Sequence, residues 1–140
     1  MAEARGGSSA GLTPPSGDLS AERACELVVA GKSPGFFTGI DRVHLVLTTY
    51  AKGEPIESGR DISVGMPPST LVWVVEVHAK AISWDHSRPY SPDAGTAQRY
   101  TDFSVVLNAR TGRETDAGEC NCWPLPLWRA GTVVSLPARC

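Results

Sequence analysis

Tyr100–Gly118 reads YTDFSVVLNARTGRETDAG, and its pattern decides the fold. In Thr101–Ala109 the side chains alternate. Phe103, Val105, Leu107 and Ala109 fall on one side; Asp102, Ser104, Asn108 and Arg110 fall on the other. Period-two alternation marks a strand with one buried face. Val106 interrupts the polar side once. The run ends at Asn108–Gly112, where Gly112 supplies the positive φ of a tight turn. Arg113–Asp116 then reads as a short polar return strand at a sheet edge.

Working outward, Leu71–Trp84 (LVWVVEVHAKAISW) predicts a second strand. Trp73, Val75, Val77, Ala79 and Ala81 share its buried face, against Val74, Glu76, His78 and Lys80. Phe36–Tyr50 holds a further strand, with Val43, Leu45 and Leu47 on one side and His44, Val46 and Thr48 on the other. Asp18–Gly31 predicts one helix. Ser20 is its N-cap, Ala21, Ala24, Cys25 and Val28 form its apolar stripe, and Gly31 ends it before Pro34. Met1–Gly17, rich in Gly, Ser, Ala and Pro, reads as a disordered leader; such tails either tether a domain to a membrane or lipid anchor or are merely termini, and composition does not separate the two. Ala51–Thr70 and Asp85–Arg99 read as long connectors, the first with a short strand at Ile62–Val64. In a meander they emerge at opposite ends of the sheet. Residues 118–140 read as an irregular strap, because Pro124 and Pro126 oppose a central strand, with Thr132–Leu136 as a short added strand.

The expected architecture is therefore α+β. One N-terminal helix packs on a three- to four-stranded antiparallel sheet, and an irregular, disulfide-bonded C-terminal strap completes a single domain over residues 18–140. A chain of 140 residues is long enough to bury a core of its own. The 13 basic and 15 acidic residues leave a net charge of −2. With the arginines scattered, no basic stripe exists to bind nucleic acid. No apolar stretch has the length of a transmembrane segment.

The strand-and-turn residues Val105, Val106, Asn108, Ala109, Thr111 and Gly112 resemble the V-V-x-N/D-A-x-T-G turn of PepSY-type extracytoplasmic domains. Trp73, Val75 and Val77 look like the hydrophobic strand that precedes that turn, and Leu19–Ala24 looks like the family's opening helix. The resemblance covers roughly Asp18–Gly118. Asn108 stands where the family usually has aspartate, the Ala51–Thr70 connector is long, and the Cys-rich strap lies outside the family pattern. What the resemblance implies is a secreted or membrane-anchored accessory domain, in a family associated with regulating peptidases or with binding at the cell envelope. It implies no catalytic residues. Cystatins share a helix-on-sheet plan, but their QxVxG signature is missing here.

Cys25, Cys120, Cys122 and Cys140 are the four cysteines. An even count, three of them in the tail, fits disulfides and an oxidising compartment, hence an extracellular or envelope location; a reduced, cytoplasmic chain is the alternative. A bridge across the single residue between Cys120 and Cys122 would close a tight ring. Excluding it pairs Cys25 with one of them and Cys140 with the other, in either arrangement. A four-cysteine zinc site matches the usual paired CxxC knuckles poorly.

His44, Glu76 and His78 fall on the outer sheet face and form the candidate metal-ligand or general-base set. A solvated sheet face explains the same residues without a site. No nucleophile elbow, phosphate loop or HExxH pattern occurs, and nothing in the pattern calls for a cofactor. The inner face offers no acid or base for a pocket enzyme. Trp84, Tyr90, Tyr100, Trp123 and Trp128 are the candidate binding aromatics, because Trp and Tyr anchor interfaces. The expected function is a non-enzymatic domain that binds a protein, peptide or wall component. A small enzyme or metal-binding protein using His44, Glu76 and His78 is one alternative, and a structural subunit of a larger assembly is another.

Overall fold

The computed structural model describes residues 17–58, 66–83, 100–138 and 140. The elements in chain order are α1 (Ala21–Ala30), β1 (Phe37–Thr49), α2 (Tyr50–Ser58), β2 (Leu71–Ile82), β3 (Tyr100–Asn108), β4 (Glu114–Cys120), a single 3₁₀ turn (Leu127–Arg129) and β5 (Val133–Leu136). The five strands form one antiparallel sheet in the order β4-β3-β2-β1-β5. The expected leader and the Ile62–Val64 strand lie outside the described residues.

The inner layer is the one the alternation predicts. Ser20 caps α1 by accepting the Arg23 N–H at 3.1 Å. The stripe of Ala21, Ala24, Cys25 and Val28 is buried against Val43, Leu45, Leu47, Trp73, Val75, Val77, Phe103, Val105 and Leu107. Trp73 satisfies its indole N–H on the Leu19 carbonyl at 2.9 Å. The β3–β4 turn also forms as expected. Gly112 has φ +77°, and Asn108 Oδ1 accepts the N–H groups of Arg110 and Thr111 at 2.8 and 3.0 Å. This is an asparagine-closed turn. Lys32 joins the end of α1 to β4 through Glu114 at 2.8 Å.

The outer layer departs from the sequence expectation in three ways. The sheet has five strands rather than three or four, because β5 adds to β1 through Val43–Leu136 to Val46–Val133. A second helix, α2, occupies part of the Ala51–Thr70 connector in spite of Gly53 and Pro55. The outer face is consequently covered rather than solvated: Val46, Tyr50, Val72, Val74, Val106 and Leu127 form a second buried cluster. Gly53 makes this close approach possible, since a Cβ there would come within 2.6 Å of Val74 Cγ2.

The cysteine pairing also differs. Cys25 bridges Cys140, with Cα atoms 5.7 Å apart, tying the C-terminus to the buried side of α1. Cys120 bridges Cys122, the pair excluded on ring size. Residues two apart project to the same face of a strand. β4 ends at Cys120 and the chain turns at Asn121, which brings the Cα atoms to 5.3 Å, inside the ordinary disulfide range.

Candidate functional site

Strand register assembles a polar cluster on the outer face. His78 of β2 pairs with Arg42 of β1 and Asp102 of β3, and Asp102 pairs in turn with Cys120 of β4. One step along the strands, Glu76 pairs with His44 and Ser104, and Ser104 with Gly118. Beyond these two rows the same face becomes apolar, as Val46, Val74 and Val106. The cluster therefore sits at the polar end of a half-hydrophobic face.

The strap lies over it. Leu125 donates its N–H to both carboxylate oxygens of Glu76, at 2.9 and 3.0 Å. Cys122 donates its N–H to Asp102 Oδ2 at 3.1 Å. His78 Nδ1 is 2.9 Å from Asp102 Oδ1, which also accepts the Thr101 hydroxyl at 3.1 Å. The Trp123 ring covers both imidazoles, with its centroid 4.3 Å from His44 and 4.7 Å from His78. The Trp123–Pro124 peptide is cis.

Glu76 and Asp102 are both fully buried. Burial pushes the Glu76 carboxyl up to about 8, aided by the charge of Asp102 and opposed by the Leu125 N–H. Burial and the neighbouring Asp102 charge thus both favour the neutral form of Glu76. Burial, with the charge of Arg42 adding to it, lowers the pKa of His44. A second acidic group lies under α2. Glu57 accepts the Ser104 hydroxyl at 3.2 Å, and Tyr50 donates to Asp116 at 2.7 Å. Burial, followed by the charges of Asp116 and Glu54, raises Glu57 to about 7 against the Ser104 hydrogen bond. Gly118 leaves room for it, as a Cβ there would stand 3.3 Å from Glu57 Oε2.

Of the residues singled out from sequence, His44, Glu76 and His78 do come together on one face. His44 and His78 share the Trp123 ring, His78 also meets Asp102, and Glu76 is directed to the strap backbone. Sequence reasoning missed Asp102, which joins His78 to the strap. Its place on the polar side of β3, three positions after a loop, gave no sign of its burial. His78 also borders an open cleft of about 460 Å³ with Gly39, Ile40, Asp41, Ala79, Lys80 and Thr101. The aromatic candidates separate. Trp84 and Tyr90 lie outside the described residues. Tyr100 packs at the margin of the inner core, and Trp123 is stacked on the histidines. Trp128 is 66 % exposed, the one large exposed hydrophobic side chain among the described residues, with the Arg129 guanidinium 5.2 Å from its ring.

No known family model matches the chain, and no curated protein or solved structure shows significant similarity to it. Among the described residues no helix is long and apolar enough to cross a membrane.

Proposed function

We propose that this chain is a non-enzymatic extracytoplasmic binding domain that presents Trp128 and Arg129 to a protein or peptide partner. The observation that carries the reading is the placement of Trp128 on a rigid base. The 3₁₀ turn that bears it is seated by Leu127, which is 1 % exposed. On one side of the turn Leu125 is held by Glu76; on the other β5 is paired to β1. An exposed tryptophan beside an arginine, ordered before the partner arrives, is the residue type and the pre-organisation that concentrate binding energy.

Two further features support it. The buried Glu76 and Asp102 of the outer face are engaged in holding the strap, and the inner core cluster is apolar. Two disulfides suit an oxidising compartment. The sequence resemblance to PepSY-type domains points to the same class of accessory function.

The test is site-specific photo-crosslinking in the producing organism, with the probe at position 128 and, as a control, at exposed Lys52 of α2. The expected result is a discrete adduct from position 128 that is missing from position 52. Added wild-type protein suppresses it, and Trp128→Ala protein competes about tenfold or more weakly. No adduct at position 128, or the same adducts from both positions, would remove the reading.

A further inference from the structure

The Cys120–Cys122 bridge lies beside a buried carboxylate. Asp102 faces Cys120 across the β3–β4 register and holds the Cys122 N–H on Oδ2 at 3.1 Å. One Asp102 oxygen and the two sulfurs all lie within 4.8 Å of one another. Two thiolates and a carboxylate are a ligand set for zinc, which binds sulfur at about 2.3 Å and so places two sulfur ligands about 3.8 Å apart in a tetrahedral site. Opening the sulfur–sulfur bond frees the two sulfurs to separate toward that spacing, with the carboxylate already beside them.

From this juxtaposition we infer that Cys120, Cys122 and Asp102 form a redox-gated zinc site, closed to metal as the disulfide and open as the dithiol. The site goes beyond the binding function proposed above and does not depend on it. The two bridges differ in how readily they can serve as a gate. Cys25–Cys140 spans 115 residues and Cys25 is fully buried. Cys120–Cys122 encloses a single residue, and both of its cysteines are half-buried at the start of the strap. Opening the short bridge releases almost no chain.

The chemistry balances with a dithiol as reductant. The dithiol gives two electrons and two protons to the bridge and leaves as its own cyclic disulfide. The sulfur–sulfur bond of the protein breaks, and Cys120 and Cys122 become thiols. Zinc then displaces the two thiol protons to water and binds two thiolates and the Asp102 carboxylate. A water molecule takes the fourth position, the arrangement of zinc sites with three protein ligands. Thiolate sulfur selects zinc over magnesium or calcium. His78 and Thr101, both within hydrogen-bond distance of Asp102 Oδ1, orient the carboxylate from behind.

The experiment uses the whole chain. A phosphine reductant, which takes up a water oxygen as it reduces the bridge and competes weakly for metal, is titrated in. Alkylation and peptide mapping identify the sample in which Cys120 and Cys122 are free and Cys25–Cys140 is intact. Zinc is then measured by elemental analysis after gel filtration, and cobalt is substituted as a spectroscopic probe. The expected result is about one zinc per reduced chain and none per oxidised chain, with thiolate-to-cobalt charge transfer in the reduced form. The Cys120→Ser/Cys122→Ser chain binds none while its circular dichroism is unchanged. Asp102→Asn lowers the affinity at least tenfold. His78→Ala, which leaves the ligand set complete, lowers it about 10–100-fold. Free Cys120 and Cys122 without zinc uptake would overturn the inference, as would zinc bound to the oxidised protein or to the double serine variant. Wild-type affinity in a folded Asp102→Asn chain would overturn it as well. Should that variant fail to fold, wild-type affinity in His78→Ala counts against it in the same way.

Discussion

The two disulfides make opposite demands on the fold, and removing each in turn tests the pairing. In the chain-entropy account a bridge stabilises by restricting the unfolded chain, and the effect grows with the logarithm of the loop. Cys25–Cys140 has a sequence separation of 115, which corresponds to about 5 kcal/mol at 25 °C. Cys120–Cys122 has a separation of 2, which corresponds to about 1 kcal/mol. The Cys25→Ala/Cys140→Ala chain should therefore lose a large part of the stability of a domain this size, whereas Cys120→Ala/Cys122→Ala should lose little. With a urea m-value of about 2 kcal/mol/M, the first pair of substitutions moves the midpoint down by about 2–3 M and the second by about 0.5 M. Cys25 sits on an alanine-rich stripe of α1, so alanine there removes one sulfur from the core without adding bulk.

The assay is equilibrium urea unfolding followed by tryptophan fluorescence, with a peptide digest of the native protein to establish the bridges. Equal midpoint shifts in the two variants would refute the reasoning. So would a digest that joins Cys25 to Cys120 or Cys122. In that crossed pairing one bridge spans about 95 residues and the other about 20, so each contributes about 3–5 kcal/mol and neither variant is mild.

Two further outcomes follow from the buried carboxyls. Glu76→Gln keeps an acceptor for the Leu125 N–H and matches the neutral carboxyl at pH 7, so it should cost under about 1 kcal/mol; Glu76→Ala orphans that donor and opens a cavity, costing about 3–5 kcal/mol by urea unfolding. Equal losses in the two variants would show that Leu125 is not held in this way. Glu57 binds its proton more tightly folded than unfolded, because its pKa rises from 4.5 to about 7. Its contribution is fully present below pH 4.5 and is lost as the pH rises through about 7. Discounted for solvent screening, the loss is about 1–2 kcal/mol, and Glu57→Gln should flatten this part of the stability–pH curve. An unaltered curve would place the titration elsewhere.

The inner layer was legible from sequence because its signals are local and mutually consistent. Ser20 caps one helix, Gly112 closes one turn, and a period of two runs through Val43–Leu47, Trp73–Val77 and Phe103–Leu107. The outer layer was not, because it rests on tertiary contacts that override local preference. Gly53 and Pro55 read as loop, yet Gly53 is what lets α2 lie against Val72 and Val74. Val46, Val74 and Val106 did break the polar alternation at the same level of three strands. Taken together rather than one by one, they announced a second cover for the sheet. Within the candidate site, the spacing of Glu76 and His78 and the position of His44 were readable. The role of Asp102 was not, since the β2–β3 register spans a long connector. The Leu125 N–H that holds Glu76 carries no side-chain signal at all.

The strap joins the two layers, and this sets how its functions relate. It begins on the outer face at Cys122, crosses the histidines with Trp123, presents Trp128, and pairs with β1 as β5. It ends on the inner side, where Cys140 meets Cys25. Its last section is thus fixed by a covalent bond and a strand ladder, whereas its first section is fixed by two buried acidic side chains and a short bridge. Reduction followed by zinc uptake would replace one fastening at the start of the strap with another. Trp128 would keep its seat through Leu127, Glu76 and β5. Loss of partner binding in Trp128→Ala and loss of zinc in Cys120→Ser/Cys122→Ser should therefore be separable, each leaving the other property in place.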